Sequence, residues 1–281
     1  MAYALAWYGL ANFYFNMGFL GYMHPKKANA ESTRAAQRAL ELNENMAEAH
    51  SILASIRATE FDWRGAEREF NRALEIGPIS AEILTSYSLN FLLPMRRIEG
   101  AFDAARKALE LDPTSPWRQW NLGYCYFLAR QWERTMEQCE HTLELNPNFY
   151  LAHQYLGFVY LLTGKVDEGI QACETAARLV GNNPWTMVFR AMSLAWTGRT
   201  DEAHRFITAM EDVARKSNVS PSMFAWVYCS LGETEKGLEW FEKAIDECDG
   251  LIIHGHLFPI YDSLRSHPRY HSLLRKMNLQ A

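Results

Sequence analysis

A 34-residue period is the feature that most restricts what this chain can fold into. Identical residues recur at this spacing through the middle of the sequence: Leu122-Gly123 with Leu156-Gly157, Tyr126 with Tyr160, Cys139 with Cys173, and Pro113 with Pro147. A fixed period of this size is typical of stacked helical arrays, in which each unit buries its apolar face against its neighbours. The period therefore predicts an all-α solenoid.

Capping signals mark where several of the predicted hairpins begin. A small polar residue followed by proline stands at Ser115-Pro116, Asn183-Pro184 and Ser220-Pro221. The polar side chain can accept a hydrogen bond from an amide of the first turn, and proline is tolerated at the first helical position. Each pair is therefore predicted to start the first helix of a hairpin.

Glycines mark the tight turn inside a hairpin. Gly164, Gly198 and Gly232 are 34 residues apart, and glycine readily takes the left-handed conformation that ends a helix. The third unit departs from the period by one inserted residue, which we place near Ile79. Residues 80–93 are predicted as the first helix of that unit.

The repeated pattern resembles the tetratricopeptide repeat (TPR). It is carried by Leu122-Gly123, Tyr126 and the helix endings at residues 108–113 and 142–147, and Arg190 stands where the pattern has leucine. The resemblance implies an all-α, right-handed superhelical solenoid of about seven antiparallel helix hairpins with a C-terminal helical cap. The solenoid is expected over residues 1–250 and the cap over residues 251–281.

A narrower resemblance concerns both ends of the chain. Residues 3–11, 46–50 and 261–277 look like the TPR tail of certain bacterial signalling proteins. In that group the tail follows an adenylate cyclase, a serine/threonine kinase or a winged-helix transcriptional regulator. The resemblance implies, as an alternative to a free-standing scaffold, a regulatory or oligomerisation tail that acts on a domain of the same polypeptide.

Charge and cysteine content exclude several classes of partner. The net charge is −5 with acids and bases interleaved, so we expect no nucleic acid and no membrane as partner. The apolar residues 2–15 are too short to span a bilayer and lack a basic start. The five cysteines form no CxxC pair, which predicts reduced thiols and a cytoplasmic protein.

Residues with chemical potential are few and scattered. The chain has no phosphate-binding loop and no hydrolase or zinc-protease motif. His267 and His271 could share a helix face, and His254 and His256 flank a glycine, but each pair lacks the further ligands of a metal site. We read the second pair as a solvated turn, and Asp249 as part of a solvated acidic helix end. We therefore expect no enzyme, no cofactor and no metal.

By the resemblance, the first helix of each hairpin lines the concave side of the solenoid. The side chains expected there from the fourth unit onward are mostly aromatic: Trp117, Trp120, Asn121, Tyr124, Phe127, Gln154, Tyr155, Phe158, Trp185, Phe189, Met192 and Trp226. An exposed apolar surface of this kind usually marks a partner site, and Trp and Tyr often anchor binding. We predict a groove for a protein partner that presents an apolar helix or extended segment.

Two alternatives concern what occupies this groove. In the first, a separate protein segment fills it. In the second, the rings pack on one another or on the chain's own residues 251–260. A homodimer is also compatible with the sequence.

Overall fold

The computed structural model describes residues 2–181 and 183–279, and every regular element within them is helical. The α-helices are α1 (Ala2–Phe19), α2 (Pro25–Leu42), α3 (Ala47–Thr59), α4 (Trp63–Ile76), α5 (Ala81–Tyr87), α6 (Ile98–Leu111), α7 (Pro116–Leu128), α8 (Trp132–Leu145), α9 (Tyr150–Leu162), α10 (Val166–Val180), α11 (Pro184–Trp196), α12 (Thr200–Ala214), α13 (Pro221–Ser230), α14 (Thr234–Asp246) and α15 (Pro268–Lys276). A π-helical turn covers Ser88–Leu92, and 3₁₀ segments cover Gly250–Leu257 and Pro259–Leu264. Consecutive helices pack as hairpins, such as α1 with α2 and α9 with α10, which confirms the predicted all-α solenoid class.

Residues with positive φ occupy the turn between the two helices of a hairpin. Gly164, Gly198 and Gly232 have φ values of 82°, 77° and 75°. In the earlier units the equivalent positions hold non-glycine residues: Phe61, Arg96 and Arg130, with φ values of 60°, 56° and 63°. The left-handed conformation costs a non-glycine residue about 1–2 kcal/mol, so the turn geometry is imposed by the hairpin and not by glycine alone.

The inserted residue of the third unit lies further along the chain than predicted. The first helices of the second and third units, α3 and α5, begin 34 residues apart, whereas their second helices, α4 and α6, begin 35 residues apart. The extra residue therefore follows Ala81, and its predicted place near Ile79 is wrong. The π-helical turn absorbs it, because the Leu93 amide donates to the Ser88 carbonyl at 3.0 Å across five residues. The single helix predicted over residues 80–93 is therefore α5 followed by this turn.

The described chain forms two compact units. The first comprises Met1–Leu111, Glu242–His256 and Arg265–Ala281, and the second comprises Asp112–Phe241 and Leu257–Leu264. Within the first unit the C-terminal residues return to the early hairpins. The Trp63 indole donates to the Met277 carbonyl at 2.7 Å, and the Asn278 amide donates to the Phe61 carbonyl at 3.1 Å.

Residues 250–256 belong to the core of the first unit. His254 and His256 are 5% and 2% exposed, so the prediction of a solvated turn is wrong. Burial lowers the pKa of His254 to about 4 and that of His256 to about 3. Asp249 is also fully buried, and its carboxylate accepts a hydrogen bond from the Leu251 amide at 3.1 Å, which corrects the expected solvated helix end.

Candidate functional site: an aromatic face in the second unit

Side-chain caps mark where two helices of this site, α7 and α11, begin. The Ser115 hydroxyl accepts from the Arg118 amide at 3.4 Å at the start of α7. At the start of α11, the Asn183 side chain accepts from the Thr186 amide and the Thr186 hydroxyl accepts from the Asn183 amide, both at 3.1 Å. This reciprocal pair is a capping box. In α7 and α11 the cap sets the first helical residue and therefore the side of the helix on which the following rings lie. At the start of α13 the predicted Pro221 is the first helical residue, but the Ser220 side chain forms no cap hydrogen bond.

The predicted groove residues of α7, α9, α11 and α13 come together in the second unit. We call the set the aromatic face: Trp117, Trp120, Asn121, Tyr124, Phe127, Gln154, Tyr155, Phe158, Trp185, Phe189, Met192 and Trp226. Trp120 stacks on Tyr124 with centroids 5.2 Å apart and an angle of 11° between the rings. Tyr155 meets Tyr124 edge to face at 5.3 Å and Phe127 at 4.9 Å.

Ring contacts continue through the later helices of the unit. Phe158 lies 5.5 Å from Phe189, which lies 5.7 Å from Trp185. Trp185 in turn lies 6.4 Å from Trp226 on α13. Offset and edge-to-face pairs at these distances stabilise by about 0.5–1.5 kcal/mol each beyond the area they bury. The four helices are therefore tied together along this face by aromatic contacts.

The aromatic face is buried rather than open. Trp117 is 41% exposed and Trp185 is half-buried, whereas the other ten residues are buried. Burial raises the pKa of the Tyr124 and Tyr155 hydroxyls, which hydrogen-bond to each other. The expectation of an exposed apolar surface is therefore wrong for all but the Trp117 and Trp185 positions.

A segment of the chain itself covers part of the aromatic face. We call Leu257–Leu264 the plug segment. Its Phe258 ring stacks on Trp226 with centroids 5.2 Å apart and an angle of 10°, and it meets Phe127 edge to face at 5.5 Å. Phe258 is 1% exposed. For residues 257–260, these contacts match the alternative in which the chain fills its own groove.

Arg130 holds the plug segment at two points, a role that the sequence reasoning did not foresee. Its guanidinium donates to the Leu257 carbonyl at 2.7 Å and to the Asp262 carboxylate at 2.9 Å. Arg130 occupies the left-handed turn position that later repeats give to glycine. The sequence carried little signal for this role, because Phe61 and Arg96 also occupy the left-handed turn position in earlier units.

Three donors on the aromatic face have no acceptor among the residues that the structure describes. They are the indole nitrogens of Trp120 and Trp226 and the amide nitrogen of Asn121, all of them buried. A buried donor that makes no hydrogen bond costs about 1–3 kcal/mol. The face therefore combines apolar rings with polar groups that could bind carbonyl oxygens.

The structure shows no metal-binding cluster in the residues that it describes. Within residues 2–181 and 183–279, no group of three or more His, Cys, Asp or Glu side chains is arranged to hold a metal ion. No described helix is long and apolar enough to cross a membrane.

Comparison with known proteins points to one kind of repeat. The family model of the tetratricopeptide repeat matches residues 139–171. No curated protein sequence matches the chain.

Solved structures resemble the fold over most of the chain. PilW, a widely conserved type IV pilus biogenesis factor, is 18% identical with a TM-score of 0.59, covering 83% of this chain and 98% of PilW. PilF of Pseudomonas aeruginosa is 19% identical with a TM-score of 0.57, covering 83% and 97%. A thermophilic TPR protein of Thermus thermophilus is 16% identical with a TM-score of 0.58, covering 68% and 98%. At these identities the similarity establishes the fold.

Proposed function

We propose, on the premise that this chain has the tetratricopeptide-repeat fold, that it is a non-catalytic protein-interaction scaffold. Its aromatic face binds an apolar helix or extended segment of a protein, and the plug segment is the resident occupant of that face. Repeat solenoids commonly present extended surfaces to protein partners. A partner segment binds by taking the place of the plug.

The buried position of the Phe258 ring is the observation on which the proposal rests. Its ring enters a cluster made by Trp226, Tyr124 and Phe127, at centroid distances of 5.2, 6.5 and 5.5 Å. Buried aromatic anchors in well-packed pockets supply most of the binding energy in protein interfaces. A segment of another protein that carries a similar ring could use the same contacts.

The orphan donors support a peptide as ligand. The Trp120, Asn121 and Trp226 nitrogens are buried without acceptors among the described residues. The carbonyl groups of an extended segment are acceptors that would satisfy them. A ligand with a peptide backbone therefore fits this face better than a purely apolar molecule.

The experiment tests whether an added peptide can take the place of the plug segment. A fluorescent peptide with the sequence of Leu257–Leu264 is titrated into the wild-type protein and into Phe258→Ala, and binding is followed by anisotropy. The wild-type face is occupied by its own tethered ring, which competes at a high effective concentration. We expect the variant to bind the peptide about 10–100-fold more tightly, since a buried Phe side chain contributes about 1.5–3 kcal/mol.

A matched peptide with Ala in place of its Phe is the control. It should bind both proteins equally weakly. Circular dichroism checks that Phe258→Ala remains helical. If the folded variant binds both peptides alike, or neither, the aromatic face is not a site for such segments.

A further inference from the structure

Helix α1 presents more exposed apolar surface than any other helix that the structure describes. Its large exposed side chains are Tyr3, Leu5, Trp7, Leu10 and Phe13, which are 79%, 56%, 36%, 38% and 54% exposed. No other described helix carries more than two large exposed apolar side chains. A contiguous exposed apolar surface of this extent usually marks an interaction site.

Most apolar residues of α1 form two stripes on opposite sides of the helix, and the exposed Leu5 and Trp7 lie between the stripes, one on each side. The inner stripe is Ala4, Tyr8, Ala11 and Phe15, which pack in the core with residues of α2 and α3. The outer stripe is Tyr3, Ala6, Leu10, Phe13 and Met17. Its alternating spacing of three and four residues is the a/d pattern that seats one helix against another. The inner stripe has its partners in the first unit, and the outer stripe is suited to a second helix.

The absence of charged residues from α1 favours a second copy of α1 as the partner helix. Residues 2–23 contain no Asp, Glu, Lys, Arg or His, in a chain that is 22% charged. In a two-fold symmetric dimer the same patch faces itself, so any charge near the axis meets its own like charge. The uncharged outer stripe meets this requirement over its whole length.

When two copies of the outer stripe run in opposite directions, small side chains of one copy face large side chains of the other. In an antiparallel pair centred on Leu10, the small Ala6 of one copy faces the large Phe13 of the other, and Tyr3 faces Met17. Leu10 meets Leu10 at the axis. Gly9, the neighbour of Leu10 in the chain, has no side chain, and no atom lies within 4 Å of the place where a Cβ would stand, so it adds no bulk beside the axis.

We propose that two copies of this chain associate through the outer stripe of α1 as an antiparallel, two-fold symmetric helix pair. The helix of 18 residues is about 27 Å long. A contact of this size is at the small end of specific interfaces, so the dissociation constant should lie in about the micromolar range. The inference does not depend on the aromatic face.

The experiment measures mass against concentration. Sedimentation equilibrium of the full chain over about 1–100 μM should show a monomer–dimer equilibrium, the range being set by the expected affinity. Leu10→Lys places two ammonium groups at the axis and should weaken association at least tenfold. Leu111→Lys is the matched control, because Leu111 is 52% exposed on α6, and it should leave association unchanged.

Cross-linking tests the direction of the helices independently of any loss of fold in Leu10→Lys. In a Cys248→Ser background, which removes the least buried native thiol, a mixture of Tyr3→Cys and Met17→Cys proteins should form a disulfide between the two different chains on mild oxidation, and neither protein should do so alone. A wild-type chain that stays monomeric to about 100 μM overturns the proposal, as does equal weakening by Leu111→Lys. Disulfides within the Tyr3→Cys protein alone, with none in the mixture between unlike chains, overturn the antiparallel arrangement.

Discussion

Two equivalent glycines should respond oppositely to the same substitution. Gly157 lies in the middle of α9, and a Cβ placed there would be 2.4 Å from Cys173 Sγ and 3.0 Å from the Gly169 carbonyl. Gly123 occupies the same repeat position in α7, but a Cβ there would meet Gln138 Cβ at 3.1 Å and otherwise only atoms at 3.8 Å or beyond. The α9–α10 hairpin is therefore closed more tightly than the α7–α8 hairpin.

The magnitude follows from two opposing effects. Alanine is favoured over glycine inside a helix by about 0.8–1.0 kcal/mol, and this gain is the same at both positions. Overpacking a close contact costs about 1–3 kcal/mol, and only Gly157→Ala creates a contact below 3.0 Å. We expect Gly123→Ala to be neutral or stabilising by up to about 1 kcal/mol, and Gly157→Ala to be destabilising by about 1–2 kcal/mol.

The assay is urea unfolding followed by circular dichroism, with the four proteins of a double-mutant cycle. Cys173→Ala removes the atom nearest to the new methyl group but leaves the Gly169 carbonyl in place. Gly157→Ala should therefore cost less in the Cys173→Ala background, by about 0.5 kcal/mol or more. The reasoning is refuted if Gly157→Ala is as stable as Gly123→Ala, or if the two substitutions at 157 and 173 are additive.

Three further outcomes follow from the structure. Burial lowers the folded-state pKa of His254 and His256 to about 4 and 3, so their contribution to stability is complete above pH 6.5 and is lost as the pH falls towards these values. Between about pH 7 and pH 5, the free energy of unfolding measured in urea should fall by up to about 1.4 kcal/mol per pH unit for each histidine. In His254→Asn only the contribution of His256 should remain. Burial raises the pKa of the thiols of Cys139, Cys173, Cys229 and Cys248, and Cys248 is the least buried of the five cysteines. A thiol reagent at about pH 8 should therefore modify Cys248 first, which peptide mass spectrometry would show. Arg130→Gly should keep the turn, which glycine occupies in later repeats, but speed hydrogen exchange in Leu257–Leu264; unchanged exchange would show that the two guanidinium contacts do not hold the plug.

The repeat period predicted the local architecture well because it reports local interactions. Each cap, turn and tight hairpin contact involves residues less than one repeat apart, and Asn183 and Gly164 illustrate how directly such positions can be located. The inserted residue was placed about ten residues too early, because an insertion can be absorbed wherever a helix can widen, and the period alone does not say where.

The sequence predicted that the rings of the aromatic face lie on one side of their helices, but it did not predict that they are buried. The period assigns Tyr124, Tyr155 and Trp226 to one side of their helices, and the structure brings them together in one ring cluster. Whether that cluster is open depends on Phe258, which lies outside the repeat although its ring contacts the repeat residues Tyr124, Phe127 and Trp226. Segments without a period, such as residues 250–264, carry no sequence signal for their docking position, which is why the buried histidines were misread as solvated.

The return of the C-terminal residues to the first hairpins has a consequence for biosynthesis. Trp63 and Phe61 are hydrogen-bonded to Met277 and Asn278, partners 214 and 217 residues away along the chain. A growing solenoid normally completes each unit as it leaves the ribosome, since its contacts are with the previous one. Here the hairpins around Phe61 and Trp63 leave the ribosome without these partners, and the surface that Met277 and Asn278 cover is buried only after more than 200 further residues have been translated, as the separations of 214 and 217 require.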